Sequence, residues 1–112
     1  MTKKKETKLD PAFLIAHEVV LERLKQRSKY SAKYDDEHDN EELAAAAASY
    51  ATHVYYNSNL EYNPYEEFAD DVPEIWHFDR SKWHPTTPRG DLIKAAALIL
   101  AEIERMDRIE DE

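Results

Sequence analysis

The sequence predicts an all-α fold, a small bundle of three main helices with a long aromatic-rich connecting loop. Two observations lead to this prediction. The chain has a single glycine, which disfavours the tight hairpins of a β-sheet, and it is rich in strong helix formers such as Ala, Leu, Glu and Lys. In addition, apolar residues recur at steps of three and four in three separate segments, as they do along one face of a helix.

The last segment has the strongest helical pattern and extends from Pro88 to about Arg108. A regular stripe of apolar residues lies along one face of this helix, and it consists of Leu92, Ala96, Ile99, Ile103 and Met106. Other apolar residues widen the stripe, so most of the circumference of the helix requires cover. We therefore expect this helix to run through the middle of the domain.

The first helix is predicted from Pro11 to about Arg27. Asp10 is suited to cap its start, and proline is favoured at the first helical position that follows the cap. Its apolar stripe includes Phe13, Val20 and Leu24. The second helix is predicted from Asn40 to about Tyr56.

Two alanine runs predict how the helices pack. One covers residues 44–48 of the second helix and the other covers residues 95–97 of the last helix. Small side chains allow two helix axes to approach closely, toward the short end of the usual range of about 8–10 Å. We therefore expect the second and last helices to pack directly against each other.

The segment 57–87 contains three prolines and six aromatic residues outside the main helices. A loop of this length in so small a domain is commonly either functional or disordered, and its aromatic content argues for order. We expect it to wrap over the helices and to form one wall of a cleft. Residues 1–9 are interpreted as a mobile basic tail, and residues 10–112 as a single helical domain.

Charge is distributed unevenly along the chain, which has a formal net charge of −9. Residues 34–79 carry thirteen acidic side chains and no Lys or Arg. Contacts to nucleic-acid backbones require dense basic side chains, so we expect no nucleic-acid partner. We also expect no membrane partner, because no apolar run approaches the ~20 residues of a spanning helix. Without cysteine or a secretory signal, the protein is expected in the cytoplasm.

An acidic cluster precedes and begins the second helix. Asp35, Asp36, His38 and Glu42, together with Glu102 from the last helix, are ligand types that suit a divalent cation such as Mg²⁺. The alternative is structural, because acidic residues also cap helix starts and interact favourably with the helix dipole.

A second cluster combines basic and aromatic residues near the start of the last helix. Its members are Arg80, Lys82, Trp83, His84, Arg89 and Lys94, with Trp76 and Tyr50 as additional aromatic candidates. A helix N-terminus attracts anions, and tryptophan rings stack on flat groups. The cluster therefore predicts a binding site for an anionic ligand. The alternatives are that the basic groups pair with the acidic middle of the chain and that the aromatic rings belong to the core.

The chain resembles a family of small, mostly uncharacterised phage and prophage proteins. The resemblance spans about residues 21–108 and rests on DDEH, an alanine-rich helix after Glu-Leu, a Trp-rich loop and the final RGDLIKAAALILAEIERMDR. The chain departs from the family pattern at Tyr30, at Asn40-Glu41 and at His84. The resemblance implies a phage accessory protein in the host cytoplasm. Small helical proteins of this kind include sponges that sequester nucleotide signals of host immunity.

Three functions remain open at this stage. The first is non-catalytic binding of a small nucleotide-like anion by a homo-oligomer, with no cofactor and no catalytic residues. The second is a Mg²⁺-dependent nucleotide pyrophosphohydrolase that resembles the all-helical MazG-like enzymes, with the acidic cluster as its metal site. The third is an acidic interaction module that binds a host protein. The sequence favours a binding role over an enzymatic one.

Overall fold

The computed structural model describes residues 9–29, 40–58 and 64–110. Three helices dominate these residues: α1 (Pro11–Lys29), α2 (Asn40–Asn57) and α3 (Pro88–Glu110). The segment that joins α2 to α3 contains two 3₁₀ turns, at Tyr65–Phe68 and Arg80–Lys82. No strand occurs in the described ranges, so the predicted all-α fold with three main helices is confirmed. The predicted basic tail lies outside the described residues, apart from Leu9.

The helix starts follow from local side-chain chemistry. An Asp10 carboxylate oxygen accepts a hydrogen bond of 2.8 Å from the Ala12 backbone N–H, as predicted for the cap of α1. At the start of α3, the Thr87 hydroxyl accepts a 3.0 Å hydrogen bond from the Gly90 N–H. A Cβ at Gly90 would come within 2.9 Å of the Thr86 and Thr87 hydroxyls, so a larger residue would force these two side chains to shift.

Alanines form the contact between α2 and α3, as predicted from the two alanine runs. Ala46 and Ala47 of α2 are buried, and so are Ala95, Ala97 and Ala101 of α3. None of these side chains extends beyond Cβ, so the two backbones can pack closely. The contact between α2 and α3 is more extensive than the contact between α1 and α3.

Polar groups hold α1 against α3. Arg23 is buried and donates to both carboxylate oxygens of Glu104, with its Nε 3.2 Å from Oε1 and its Nη2 3.0 Å from Oε2. The Arg27 Nη2 lies 2.9 Å from the same Oε2. Near the starts of both helices, Glu18 pairs with Arg89. The order of these pairs along the chain means that α1 and α3 run in the same direction.

The Glu104 cluster gives the protein a predictable acid sensitivity. Although burial alone would raise the pKa of Glu104, the hydrogen bonds and charges of Arg23 and Arg27 lower it below its ordinary value. A lowered carboxylate pKa adds stability above the unfolded-state pKa of about 4.5, and that stability is lost as the pH falls through the native pKa. We therefore expect Glu104→Gln to reduce the dependence of unfolding free energy on pH between neutrality and strong acid.

Urea titrations of wild type and Glu104→Gln at a series of pH values measure this dependence. The exposed Glu110, in the last turn of the same helix, provides the matched control Glu110→Gln. Curves of stability against pH that have the same slope in wild type and Glu104→Gln would contradict the assignment.

The last helix, α3, packs against both α1 and α2, but the expectation that the rest of the domain covers its apolar stripe is wrong. Leu92, Ile99, Ile103 and Met106 are each between 47% and 50% exposed. The opposite side of the helix is buried instead, and it carries alanines and charged residues. Helical periodicity identifies a face that requires cover, but it does not identify what covers it. None of the three helices combines the length and the apolar character needed to cross a bilayer.

Candidate functional site

The aromatic segment, residues 64–87, packs over α2 through a stack of rings. The rings of Tyr50 and Trp83 are stacked with centroids 4.6 Å apart, and Trp76 meets both of them edge-on. Trp83 is only 6% exposed, and its indole N–H donates to the Ala69 carbonyl at 2.9 Å. The ring stack therefore anchors the middle and the end of the segment on the helices.

Asp91 ties the same segment to the first turn of α3. It is completely buried, and its Oδ2 accepts a 2.5 Å hydrogen bond from the Tyr65 hydroxyl. Its Oδ1 accepts a 2.9 Å hydrogen bond from the Thr86 backbone N–H and lies 3.7 Å from the Lys94 Nζ. Burial and the Asp91 hydrogen bond raise the pKa of Tyr65, so its hydroxyl stays protonated and keeps donating.

His53 lies beneath these rings as an uncharged aromatic residue. It is 2% exposed and packs edge-on against Tyr65 and Trp83. Burial lowers its pKa, against the opposing charges of Asp91 and Asp71. The Asn57 amide lies 3.1 Å from Nδ1, and an amide nitrogen can only donate, so the ring proton is on Nε2. His53 is therefore a packing residue of the site and not its proton donor at neutral pH.

A groove of about 350 Å³ lies between the three helices and the aromatic segment. Its apolar part is formed by Tyr50, Trp76, Phe78, Leu43, Ala46, Leu98 and Ala101. Its polar part is formed by Glu22, Arg23, Lys25, Gln26, Lys82, His84 and Lys94. The volume falls at the lower end of the range of about 300–1,000 Å³ that is typical of small-molecule sites.

Basic side chains predominate around this groove. Arg23, Lys25, Lys82 and Lys94 line it against a single carboxylate, that of Glu22. The rest of the chain is strongly acidic, so this concentration of positive charge is local. Part of this charge is already balanced, since Arg23 pairs with Glu104 and Lys94 lies 3.7 Å from Asp91. The excess of basic over acidic lining groups still suits the groove to an organic anion.

Lys94 is the basic residue most closely associated with the aromatic surface. Its Nζ donates to the His84 carbonyl at 2.5 Å and lies 5.5 Å from the centre of the Tyr50 ring. Its side chain keeps 23% of its surface exposed. A positive charge is therefore held beside the face of an aromatic ring at the edge of the groove.

The structure brings together five of the eight residues of the predicted basic and aromatic cluster. Tyr50, Trp76, Lys82, His84 and Lys94 all line the groove. Trp83 instead lies buried against Tyr50, and it supports the groove without lining it.

The other two predicted cations lie elsewhere. Arg80 is exposed and does not line the groove. Arg89 is exposed and pairs with Glu18 of α1. Proximity to the N-terminus of α3 along the chain therefore does not bring a residue into the groove.

Most of the predicted metal ligands cannot be placed. Asp35, Asp36 and His38 lie outside the described residues. Glu42 is half-buried in the first turn of α2, and Glu102 is 5% exposed and pairs with the Arg105 Nε at 2.6 Å. Within the part of the chain that the structure describes, no group of three or more potential metal ligands occurs.

Several residues of the site were not recognised from the sequence. Asp91 and Tyr65 support the site from below, and Arg23 and Lys25 contribute charge to the groove. Asp91 had one usable signal, since it is the acidic residue in the first turn of α3. The basic residues of α1 had none, because the approach of α1 to α3 is a tertiary contact. No protein-family model, curated protein or solved structure matches this chain.

Proposed function

We propose that this protein binds a small organic anion with a flat ring, of the nucleotide type, in the groove between its helices. The supporting observation is the meeting of aromatic rings with four basic side chains around one cavity of ligand size. An aromatic surface beside a concentration of positive charge complements a base that carries phosphate. The proposed role is binding without turnover.

In the proposed complex, the ring of the ligand packs against the partly buried Trp76, which rests on the buried Tyr50, and its anionic group meets Lys94 and Lys82. Lys94 is the central contact, because its Nζ lies close to both the aromatic surface and the groove edge. An incoming phosphate would take the place of the His84 carbonyl as acceptor for this ammonium group. A charged acceptor forms a stronger hydrogen bond than a neutral carbonyl, which favours the exchange.

The family resemblance suggests a biological setting for this binding. In that setting the protein is a phage accessory protein that sequesters a nucleotide signal of host immunity. Tight binding without chemical conversion is the behaviour that sequestration requires. This part of the proposal rests on the resemblance and on the character of the groove together.

The proposal predicts thermal stabilisation by nucleotides. AMP, ATP, ADP-ribose and a cyclic dinucleotide are each added at millimolar concentration, and the unfolding temperature is measured by calorimetry. At least one is expected to raise it, because a ligand that binds only the native state stabilises it. Lys94→Met is expected to lower the affinity for that ligand about tenfold, which corresponds to the loss of one charge-assisted hydrogen bond.

Arg80→Met is the matched control, since it removes an exposed cation that lies outside the groove. The affinity of this variant for the same nucleotide is expected to stay within twofold of the wild-type affinity. Stabilisation by none of the nucleotides, or a loss of binding in Arg80→Met alone, would contradict the proposed site. Release of pyrophosphate in the presence of Mg²⁺, abolished in Glu42→Ala, would support the hydrolase in its place.

A further inference from the structure

The groove occupies one side of α3 and leaves the opposite side uncovered. Lys94 and Ala101 line the groove. Leu92, Ile99 and Ile103 are displaced from them by about half a turn, and all three are about half exposed. These three aliphatic side chains thus point away from the aromatic segment, which packs over the groove side of α3.

The same division holds for α2 and, less sharply, for α1, where Leu14, Ile15 and Leu21 are exposed as well. On α1, Glu22 and Gln26 face the groove, whereas Phe13, Val20 and Leu24 lie on the far side and are between 46% and 62% exposed. On α2, His53 contacts the aromatic segment, and the exposed Ala44, Ala48 and Ala51 lie on the opposite side of the helix.

The three helices therefore form a single layer with two different sides. The aromatic segment covers one side. The other side carries the open apolar face, which we define as Phe13, Val20, Leu24, Leu92, Ile99, Ile103 and Met106. A stable domain normally has at least two packed layers, because an apolar face has to be buried against another element.

The open apolar face has the spacing and composition of a helix-packing surface. On α3, its residues and Ala96 follow at alternate steps of four and three, which is the heptad spacing of helices that pack side by side. None of these side chains is charged, although 35% of the residues in the chain are. The seven large side chains present on the order of 600 Å² of apolar surface, against roughly 800 Å² that each partner buries in a stable interface of standard size.

The parts of this sequence that the structure does not describe carry few large apolar side chains. Residues 1–8, 30–39, 59–63 and 111–112 are the parts that the structure does not describe, and their sequence is mostly charged or polar. The large nonpolar side chains they carry are Met1, Tyr30, Tyr34, Leu60 and Tyr62. These two aliphatic residues and three tyrosines are too few to cover the seven large side chains of the open apolar face.

We propose that a second copy of this chain covers the open apolar face, so that two helical layers pack face to face in a homodimer. The face is self-complementary, because the large side chains of α1 flank α3 on one side and the small alanines of α2 flank it on the other. A two-fold axis parallel to α3 places the large flank of each copy on the alanine flank of the other. Two chains that each carry a net charge of −9 repel one another, and the uncharged face is where that repulsion is weakest.

This dimer does not depend on the ligand proposed above, since the groove lies on the opposite side of the layer and stays accessible. Sedimentation equilibrium of the full chain at micromolar concentrations tests it. The wild type is expected to have twice the mass of a single chain. Ile99→Glu is expected to be monomeric, because it places a carboxylate at the centre of the buried face.

Ile75→Glu is the matched control, since Ile75 has a similar exposure of 42% but lies in the aromatic segment on the other side of the layer. This variant is expected to remain dimeric. If Ile99→Glu does not fold, Ile99→Ala is expected to weaken the dimer at least tenfold, while Ile75→Ala leaves it unchanged. A monomeric wild type, or equal effects at positions 99 and 75, would overturn the proposal.

Discussion

Replacing Asp91 by alanine is expected to lower the free energy of unfolding by about 3 kcal/mol. The carboxylate is completely buried and accepts hydrogen bonds from the Tyr65 hydroxyl and the Thr86 backbone N–H. Its removal leaves both donors without their acceptor, and it leaves Lys94 without the nearby carboxylate charge. Urea denaturation followed by circular dichroism measures the loss.

Three further variants test whether the loss of stability comes from this hydrogen-bond network or from any substitution in α3. Asp91→Asn keeps an acceptor for the Thr86 N–H, and Tyr65→Phe removes only one hydrogen bond. Both are therefore expected to lower the free energy of unfolding less than Asp91→Ala does. Asp107→Ala changes an exposed carboxylate of the same helix and should lie within about 0.5 kcal/mol of wild type. An Asp91→Ala protein as stable as Asp107→Ala would contradict the role given to this network.

Replacing Trp83 by alanine is expected to cost about 4 kcal/mol of unfolding free energy. Trp83 is 6% exposed, stacks on Tyr50 and packs against His53, so alanine leaves a cavity in the middle of the ring stack. Trp83→Phe retains much of the stacking but loses the hydrogen bond to the Ala69 carbonyl, and it is expected to cost about 1–2 kcal/mol. Urea denaturation again provides the measurement.

Trp76 is the matched comparison for Trp83. It belongs to the same ring stack but is only partly buried, and it lines the groove. Trp76→Ala is therefore expected to destabilise the protein less than Trp83→Ala and to weaken ligand binding more than Trp83→Phe does. Equal losses of stability at the two tryptophans would contradict the distinction between a supporting ring and a groove ring.

The helices could be predicted because their signals are local. Asp10-Pro11 and Pro88 mark helix starts through the geometry of the first turn, and the structure begins α1 and α3 at those prolines. The alanine runs predicted the contact of α2 with α3 because small side chains permit close approach wherever they lie on a helix. These inferences need no knowledge of the rest of the fold.

Tertiary packing, and not local sequence, determines what each helix face packs against and which residues belong to the site. The stripe at Ile99 and Ile103 looks like a core stripe in the sequence. Burial by the same chain and burial by a partner require the same helical spacing of apolar residues. In the same way, Trp76 and Trp83 look alike in sequence, and only the packing on Tyr50 makes one of them buried. Arg23 reaches the groove because α1 lies beside α3, which no local pattern predicts.

The central claim is that the groove beside Tyr50 and Lys94 is the ligand-binding surface. The most direct test is a nucleotide titration followed by ¹H–¹⁵N NMR, where the two tryptophans of the chain supply two separate indole N–H signals. The account predicts saturable shifts of the Trp76 indole and of the Lys94 backbone amide, with smaller shifts for the buried Trp83 indole. Shifts confined to the open apolar face, or no shifts at millimolar nucleotide, would contradict it.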